Sequence, residues 1–169
     1  LVQNSVKDKL VRYMEKYIRK MFGKDPMQNP DYPKMINEKH FNRVLGLTER
    51  AHIVCGGGSD VDMLKIEPTV LDQVTWESPV MQEEIFGPLL PVLTFYDIEE
   101  AIQMVNARPR PLALYYFTKD KQREAMMLKQ VSYGGGCIND TIVHLATSHM
   151  PFGGVGHSGM GGYHGKDSF

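Results

Sequence analysis

The chain has 169 residues, a formal net charge of −1 and a hydrophobic fraction of 42%. This length and apolar content predict one ordinary domain that can bury a core. Acidic and basic residues are mixed along the chain, so no basic block indicates a nucleic-acid partner, and no apolar run is long enough to form a membrane segment. The first residues lack both an initiator Met and the pattern of a signal peptide, which predicts a fragment or a processed product.

The spacing of cysteine and histidine argues against a metal site. Cys55 and Cys137 are the two cysteines and form no CxxC pattern, and the six histidines show no HxxxH or HExxH spacing. We therefore expect neither a zinc site nor a disulfide framework, and a reducing, cytoplasmic compartment is the simplest expectation. Cys55 is predicted to be a small buried apolar residue and not a nucleophile.

The N-terminal third predicts two helices joined by an extended connector. Residues 5–22 place apolar side chains at steps of three and four, which is typical of an amphipathic helix, and Gly23 is suited to end it. The expected apolar stripe consists of Leu10, Val11, Met14, Tyr17, Ile18, Met21 and Phe22. Three prolines in residues 24–36 predict the connector, and Asn37 is suited to cap a second helix that runs to about Arg50.

Two short strands are predicted after this helix. They are His52–Cys55, which is followed by a glycine run, and residues 66–71, whose internal proline is compatible with the edge of a sheet. Between them, residues 56–59 (GGGS) predict a flexible turn. A phosphate loop is not expected there, because the run lacks the required glycine spacing and the neighbouring Asp60 and Asp62 would repel phosphate.

Strands and helices alternate in the second half of the chain. The predicted elements are a buried strand at residues 89–95, a helix capped by Asp97, a strand at 112–117, a helix at 120–130, and a last strand approached through 131–133. Glu100 is placed to complete a capping box with Asp97. The alternation implies parallel βαβ units, so the predicted fold class is α/β, with a doubly wound, mostly parallel sheet flanked by helices.

Residues 83–88 (EEIFGP) combine two carboxylates, an aromatic ring and a Gly-Pro turn directly ahead of the predicted strand at 89–95. Open α/β sheets bind ligands in loops at strand ends. A carboxylate suits a sugar diol because its two oxygens accept hydrogen bonds from both hydroxyls, and an aromatic side chain packs on a ring. The alternative is a surface Glu pair beside a core Phe.

From Gly134 onward the alternation of helices and strands is expected to stop, because glycine becomes frequent. Glycine at this density indicates unusual backbone dihedral angles or close backbone packing. A disordered tail is the alternative. It is weakened by apolar side chains that a linker would not need, namely Phe152, Val155, Met160 and Tyr163.

Two of these segments resemble the same family. Residues 79–88 (PVMQEEIFGP) resemble the EEIFGP motif of the NAD(P)-dependent aldehyde dehydrogenase superfamily, and residues 151–161 (PFGGVGHSGMG) resemble its C-terminal PFGGxxxSGxG motif. Residues 139–144 (NDTIVH) and 163–166 (YHGK) are similar to the class 3 branch, which acts on fatty, aromatic or medium-chain aldehydes. The resemblance covers essentially the whole chain, with the motifs in order.

The resemblance implies roles for particular residues. Glu84 would bind the hydroxyls of the nicotinamide-side ribose, and Phe86 would position that ribose and the nicotinamide ring, while Glu83 is expected to be solvated. Phe152 would line the aldehyde pocket close to the reacting carbon. The implied outer lining consists of Ile142, Leu145 and Tyr163. His144 is either polar lining of this channel or a hydrogen-bonded structural histidine.

In this family a Cys thiolate attacks the aldehyde to form a thiohemiacetal, hydride passes to the nicotinamide, and a Glu-activated water hydrolyses the resulting thioester. Backbone N–H groups and an Asn amide hold the oxyanion. The resemblance places the nucleophile, the general base and the first dinucleotide-binding domain upstream of Leu1. Neither Cys55 nor Cys137 matches the nucleophile, so no catalytic residue is expected on this chain and the isolated chain is predicted to be inactive.

Residues 1–169 are thus expected to be the C-terminal part of the catalytic domain, with the N-terminal dinucleotide-binding domain absent. The implied partners are NAD or NADP, a small-molecule aldehyde, the rest of the parent polypeptide and a second subunit of a homodimer. Two alternatives remain open. One is a non-catalytic binding or oligomerisation module on the same fold, and the other is an unrelated doubly wound nucleotide binder, for which the chain lacks the required glycine-rich loop.

Overall fold

The computed structural model describes residues 1–147, 149–164 and 166. Chain length predicts one domain, whereas the structure forms two compact units, Leu1–Phe95 and Tyr96–Phe169. The helices are α1 (Lys7–Phe22), α2 (Glu38–Gly46), α3 (Ile98–Asn106) and α4 (Lys121–Gln130). The strands are β1 (Val2–Gln3), β2 (His52–Cys55), β3 (Ser59–Asp60), β4 (Lys65–Ile66), β5 (Thr69–Asp72), β6 (Leu89–Pro91), β7 (Thr94–Phe95), β8 (Ala113–Tyr116) and β9 (Gly135–Ile138).

Strand pairing is mostly parallel. In the part of the chain that the structure describes, β1 pairs with β7, β5 with β6 and β8 with β9 in parallel, whereas β2 with β5 and β3 with β4 are antiparallel. The α/β class with mostly parallel pairing is therefore confirmed. None of the helices in the described residues combines the length and the apolar character needed to cross a membrane.

Helix α1 packs on the first unit through one line of side chains. The residues that contact the buried Val2, Val70 and Val92 are Val11, Met14 and Ile18. They lie at steps of three and four, on one line along the helix. The predicted stripe was too wide, because three of its members lie on the flank of the helix and are exposed: Leu10, Tyr17 and Met21. Gly23 ends the helix as predicted, with a φ of 88° and its N–H donating to the Arg19 carbonyl at 3.0 Å.

Helix α2 begins where the sequence predicts and ends earlier. The Asn37 side-chain oxygen accepts a hydrogen bond from the His40 N–H at 2.9 Å, as an N-cap should. The helix stops at Gly46 and does not reach Arg50. The next three N–H groups donate to carbonyls three residues back, which is the tighter pattern of a helix end. The buried face of α2 carries Phe41 and Val44, and Val44 is fully enclosed.

Two predicted strands are each split in the structure. The prediction at residues 66–71 becomes β4 and β5, with Pro68 between them, and Pro68 has no N–H to donate to a ladder. The prediction at residues 89–95 becomes β6 and β7. Strand β6 pairs with β5, whereas β7 pairs with β1. The two halves of the predicted strand therefore pair with different strands, and the hydrophobic pattern alone does not indicate where the strand is divided.

Residues 56–58 of the glycine run form a closely packed connection between β2 and β3, and Ser59 begins β3. Gly56 has a φ of 73°, and a Cβ built on it would lie 2.2 Å from the Pro68 carbonyl oxygen. The Gly57 N–H donates to the Thr69 hydroxyl at 3.0 Å. The prediction that this segment is flexible is therefore wrong, because its backbone packs closely against the start of β5.

In the second unit, caps set the starts of both helices. The Asp97 carboxylate accepts from the Glu100 N–H at 2.8 Å, and Glu100 in turn accepts from the Tyr96 N–H at 2.7 Å, one residue before the position that a capping box requires. The Asp120 carboxylate accepts from two N–H groups in the first turn of α4. These helix starts are as predicted, and the exact capping box is not formed.

Strand β9 is the last strand that residues 131–133 were predicted to approach, and it occupies Gly135–Ile138, so the alternation stops after this strand and not at Gly134. The glycines are tolerated because backbone approaches them closely. A Cβ on Gly136 would lie 2.1 Å from the Leu114 carbonyl oxygen of the neighbouring strand. The sequence GGCI has too few side chains to mark where this strand begins and ends.

An ion pair between Lys7 and Asp72 gives the first unit an acid-sensitive contact. Lys7 Nζ donates to Asp72 Oδ2 at 2.7 Å. Partial burial alone raises the pKa of Asp72, but hydrogen bonds from Lys7 and the Gln73 N–H, with the charges of Lys7 and His52, hold the pKa below its ordinary value. A carboxyl whose pKa is lowered on folding stabilises the protein above its unfolded pKa and loses that contribution as the pH falls through its folded pKa.

We expect Asp72→Asn to lower the free energy of unfolding at neutral pH, and to differ progressively less from the wild type as the pH falls below about 4. Urea unfolding at several pH values measures this. Asp8→Asn is the matched control, because the Asp8 carboxylate lies 3.7 Å from the same lysine and its side chain is 82% exposed. A deficit in Asp72→Asn that persists unchanged in acid would show that the ion pair is not its source.

Candidate functional site

The loop at residues 83–88 presents the two predicted cofactor residues to solvent. It lies between a 3-10 turn, Pro79–Met81, and strand β6. Glu84 is exposed, and its carboxylate makes no hydrogen bond or ion pair within the described residues. Phe86 is 80% exposed, so the alternative of a core phenylalanine is wrong. An aromatic ring and a carboxylate that both project from one loop fit a ligand with a ring and hydroxyl groups.

The backbone of this loop is strained at the aromatic residue. Phe86 has a φ of 45°, in the left-handed region that non-glycine residues rarely adopt. Such strain persists only where surrounding contacts hold it. A Cβ on the following Gly87 would lie 2.7 Å from Val44 Cγ1, so this position requires glycine. Core residue Val44 therefore fixes the end of the loop, while Phe86 is turned outward.

Arg43 of helix α2 contacts three successive residues of the loop. Its Nη1 donates to Glu83 Oε1 at 2.8 Å and to the Glu84 carbonyl at 3.1 Å, and its Nη2 donates to the Ile85 carbonyl at 2.6 Å. Glu83 is exposed, as expected, and it also forms an ion pair with Arg43. Sequence reasoning missed Arg43, because nothing in its own neighbourhood connects it with a loop forty residues later in the chain.

In the second unit, Phe152 and Tyr163 are brought together. They form an antiparallel bridge with N–H to carbonyl distances of 2.8 Å and 3.0 Å. Their rings meet edge to face at a centroid distance of 5.6 Å, which is a favourable aromatic geometry. Phe152 is half-buried and Tyr163 is 53% exposed. Two of the predicted pocket residues thus form one aromatic surface.

His144 lies beneath this aromatic surface. It is 6% exposed, and its ring centroid lies 5.9 Å from that of Phe152 and 5.5 Å from that of Tyr115. Its Nδ1 lies 3.7 Å from Cys137 Sγ, and its buried Nε2 has no hydrogen-bond partner among the described residues. His144 therefore supports the Phe152 ring by packing, and its burial and contact with Cys137 agree with the expectation of a hydrogen-bonded structural histidine.

Ile142 and Leu145 lie on either side of His144 in a tight turn. Ile142 has a φ of 67° and precedes the 3-10 turn Val143–Leu145, and its carbonyl accepts from the Leu145 N–H at 2.8 Å. Their side chains are 60% and 38% exposed. Their role as outer pocket lining stays a prediction. Gly165, part of the segment that resembles the class 3 branch, lies outside the described residues.

Close backbone packing explains the spacing of the PFGGxxxSGxG motif. A Cβ on Gly154 would lie 2.2 Å from the Ser158 carbonyl oxygen, and a Cβ on Gly153 would lie 2.1 Å from the Gly161 carbonyl oxygen. The Ser158 hydroxyl accepts from the Val155 N–H and donates to the Val155 carbonyl, both at 2.9 Å. The loop folds back on itself, so the alternative of a disordered tail is wrong for these residues.

Cys55 lies at a separate cleft of about 370 Å³ in the first unit. Burial raises the pKa of its thiol, and the nearby carboxylate of Glu15 raises it further. A thiol with a raised pKa is a poor nucleophile near neutral pH, which agrees with the prediction that Cys55 is not a nucleophile, whereas the predicted full burial is wrong because the residue is half-buried. Within residues 1–147, 149–164 and 166, no three His, Cys, Asp or Glu side chains are grouped as a metal site would require.

Comparison with known proteins assigns the family. The model of the aldehyde dehydrogenase family matches residues 1–169, and so includes both motifs. This chain belongs to the aldehyde dehydrogenase family. It is 50% identical to 4,4'-diaponeurosporen-aldehyde dehydrogenase of Staphylococcus aureus and 44% identical to the dimeric NADP-preferring aldehyde dehydrogenase of Rattus norvegicus, over 100% of its own length in each case.

A solved structure of an aldehyde dehydrogenase agrees with this membership. A substrate-bound state of Staphylococcus aureus AldH superposes with a TM-score of 0.97 at 50% sequence identity, covering 100% of this chain. The chain spans 37% of the length of that structure and of both relatives. Of the two family motifs, the one in the first unit forms the loop that exposes Glu84 and Phe86, and the one in the second unit includes Phe152 of the aromatic surface.

Proposed function

We propose that the parent of this chain oxidises aldehydes to carboxylic acids with NAD or NADP, and that the chain contributes cofactor contacts and part of the aldehyde pocket. The observation that carries the proposal is the exposed Glu84 carboxylate beside the outward-turned Phe86, on a loop that is held from behind by Arg43. Family membership supplies the reaction class.

The loop fits the nicotinamide side of the cofactor. The Glu84 carboxylate has both oxygens available to accept from the two ribose hydroxyls. Charge-assisted hydrogen bonds of this kind are stronger than neutral ones, and they orient the sugar. The Phe86 ring supplies an apolar surface for the ribose and nicotinamide. When bound, the cofactor accepts the hydride from the substrate.

The second unit is proposed to line the aldehyde pocket. Phe152 and Tyr163 offer an aromatic surface, and Ile142 and Leu145 add exposed apolar side chains. Such a surface suits medium-chain, long-chain or aromatic aldehydes better than small polar ones, since apolar area is removed from water on binding. It also excludes water from around the reacting carbon. The thiolate that forms the thiohemiacetal and the base that hydrolyses the thioester are proposed to lie on the parent polypeptide, outside these 169 residues.

The organisation proposed for the parent follows from this division. Residues 1–169 form the C-terminal part of the catalytic domain, and a dinucleotide-binding domain belongs to the rest of the polypeptide. A homodimer in the cytoplasm is proposed, and the description of the rat relative as dimeric and NADP-preferring supports both the dimer and the use of NADP.

We expect the parent protein to form reduced cofactor from a medium-chain or aromatic aldehyde, and the isolated chain to form none. In the parent, Glu84→Gln is expected to weaken NAD(P) binding about 10- to 100-fold, because one charge-assisted hydrogen-bonding group is lost. Steady-state absorbance of the reduced nicotinamide and a titration of cofactor affinity measure these effects.

The matched control is Glu99→Gln, which removes the same charge from an exposed position in the first turn of α3. It is expected to leave cofactor affinity unchanged. Turnover by the isolated chain would overturn the proposal that the nucleophile lies elsewhere. A parent protein without turnover would favour the non-catalytic module.

A further inference from the structure

We propose that Arg43 is a positioning residue that fixes the loop at residues 83–86, so that the Glu84 carboxylate and Phe86 ring are held ready for the cofactor before it arrives. The inference rests on the proposed cofactor role of Glu84. No contact between Arg43 and the cofactor is required. Arg43 acts through the backbone of the residues that make the contact.

Arg43 contacts three residues that are consecutive in the sequence. One guanidinium serves Glu83, Glu84 and Ile85, at distances of 2.8 Å, 3.1 Å and 2.6 Å. Two of the acceptors are backbone carbonyls, so the orientation of two successive peptide groups is set from one side chain. Arg is suited to this because its donors lie in a rigid plane, whereas a Lys ammonium is a single point of contact.

Arg43 is itself held rigidly. Its helix is capped by Asn37, and the adjacent Val44 is 0% exposed while Phe41 is 2% exposed. The Cα of Arg43 therefore cannot shift without disturbing the core. Its side chain is 27% exposed, which leaves it partly shielded from water and strengthens its hydrogen bonds.

The loop is held from its other side by apolar packing. Ile85 packs against the buried cluster that includes Phe41 and Val44, and Gly87 approaches Val44 so closely that no Cβ fits. Between these two points, Phe86 adopts a positive φ of 45°. Arg43 and the core together hold the flanking residues, and the side chains of Glu84 and Phe86 remain directed to solvent.

The ion pair with Glu83 keeps the Arg43 guanidinium from pairing with the Glu84 carboxylate. Its carboxylate pairs with Arg43 at 2.8 Å, so the positive charge is satisfied and the carboxylate of Glu84 stays without a partner in the described part of the chain. The adjacent acidic residues thus have different tasks. Glu83 completes the arginine clamp, and Glu84 is left to accept from the ligand. Pre-organisation of this kind raises affinity by removing the cost of ordering a loop on binding.

The test uses the parent protein with Arg43→Met, Arg43→Lys, Glu84→Gln and the double variant Arg43→Met/Glu84→Gln. Affinities for NAD(P) and for ADP, which has no nicotinamide-side ribose, are measured by titration. Arg43→Met is expected to weaken NAD(P) binding about tenfold and to leave ADP affinity unchanged, while Arg43→Lys restores part of the loss. The loss in the double variant is expected to be smaller than the two single losses combined, because Arg43 acts partly through Glu84, while the part that acts through Phe86 remains.

Hydrogen exchange of the unliganded parent gives a second readout that needs neither cofactor nor activity. Arg43→Met is expected to speed amide exchange in residues 84–87, without a change in the core of α2. Arg19→Met is the control, because Arg19 forms an exposed ion pair with Glu15 at 2.8 Å and lies outside the loop. It is expected to change neither measurement. If Arg43→Met does not fold, Arg43→Lys is used instead, and its cofactor affinity and its hydrogen exchange in residues 84–87 decide whether Arg43 positions the loop.

Each outcome separates the inference from the proposed function. If Glu84→Gln weakens NAD(P) binding and the Arg43 variants do not, the positioning role is overturned and the proposed function stands. Losses that add fully in the double variant would indicate direct contact of Arg43 with the cofactor, and equal losses for NAD(P) and ADP would indicate general destabilisation. Either result overturns the inference. Unchanged NAD(P) affinity in Glu84→Gln overturns the cofactor role itself.

Discussion

Replacing Leu71 by alanine is expected to lower the free energy of unfolding of the first unit by about 2–5 kcal/mol. Leu71 is 0% exposed and belongs to β5, the strand that pairs with both β2 and β6. Its side chain packs in the same buried cluster as Phe41 and Val44. The loss combines the transfer free energy of the removed methyl groups with the cost of the cavity, since strands on both sides prevent collapse. Urea unfolding of the parent and its variant measures the change.

Leu90→Ala is the matched control for this effect. Leu90 lies in the neighbouring strand β6 and is 46% exposed, so the same chemical deletion removes a side chain that already contacts water. We expect a loss of less than about 1 kcal/mol. Equal losses at the two positions would show that β5 is not the centre of this core.

Gly154→Ala is expected to open the PFGGxxxSGxG loop and to destabilise it by about 3 kcal/mol. The new Cβ would lie 2.2 Å from the Ser158 carbonyl oxygen and 2.6 Å from the Gly159 nitrogen, and neither backbone atom can move aside as a flexible side chain end can. Opening the loop displaces Phe152 from Tyr163. In the parent we therefore expect a raised KM for aromatic aldehydes, with hydrogen exchange of the loop as the structural readout.

Gly162→Ala provides the comparison within the same segment. The nearest atoms to its Cβ are Pro151 Cβ at 3.3 Å and the Phe152 carbonyl oxygen at 3.6 Å, so a shift of a few tenths of an ångström suffices. We expect a small change in stability and in KM. If Gly154→Ala proves as mild as Gly162→Ala, the close fold of the motif is not what holds Phe152.

Helix starts were predictable because their chemistry is local. Asn37, Asp97 and Asp120 each cap the helix that follows them, through hydrogen bonds that span two or three residues. The ends of strands were not predictable in the same way. Whether residues 66–71 form one strand or two depends on which other strands pair with each half, and those partners lie far away in the sequence.

The candidate site was predictable only where a motif carries it. Glu84, Phe86 and Phe152 stand in recognisable segments, and the structure exposes the first two and gives the third an aromatic partner. Arg43 and His144 were not found as supports. Arg43 contacts its loop, and His144 contacts Phe152, only in the folded chain. Their partners are a backbone carbonyl and an aromatic ring, and such contacts produce no recognisable spacing of residues in the sequence.

The glycines of β9 restrict substitution around His144, which lies beneath the aromatic surface. Gly135 lies so close to His144 that a Cβ would be 2.8 Å from the imidazole Cδ2, and Gly136 is equally restricted by Leu114. His144, which supports the aromatic surface, thus packs against peptide groups of β9, and a substitution cannot reshape a peptide group as it reshapes a side chain. In the proposed pocket, a change of aldehyde preference is therefore expected to come from substitutions at exposed positions such as Ile142 and Leu145, while the backbone around His144 stays the same.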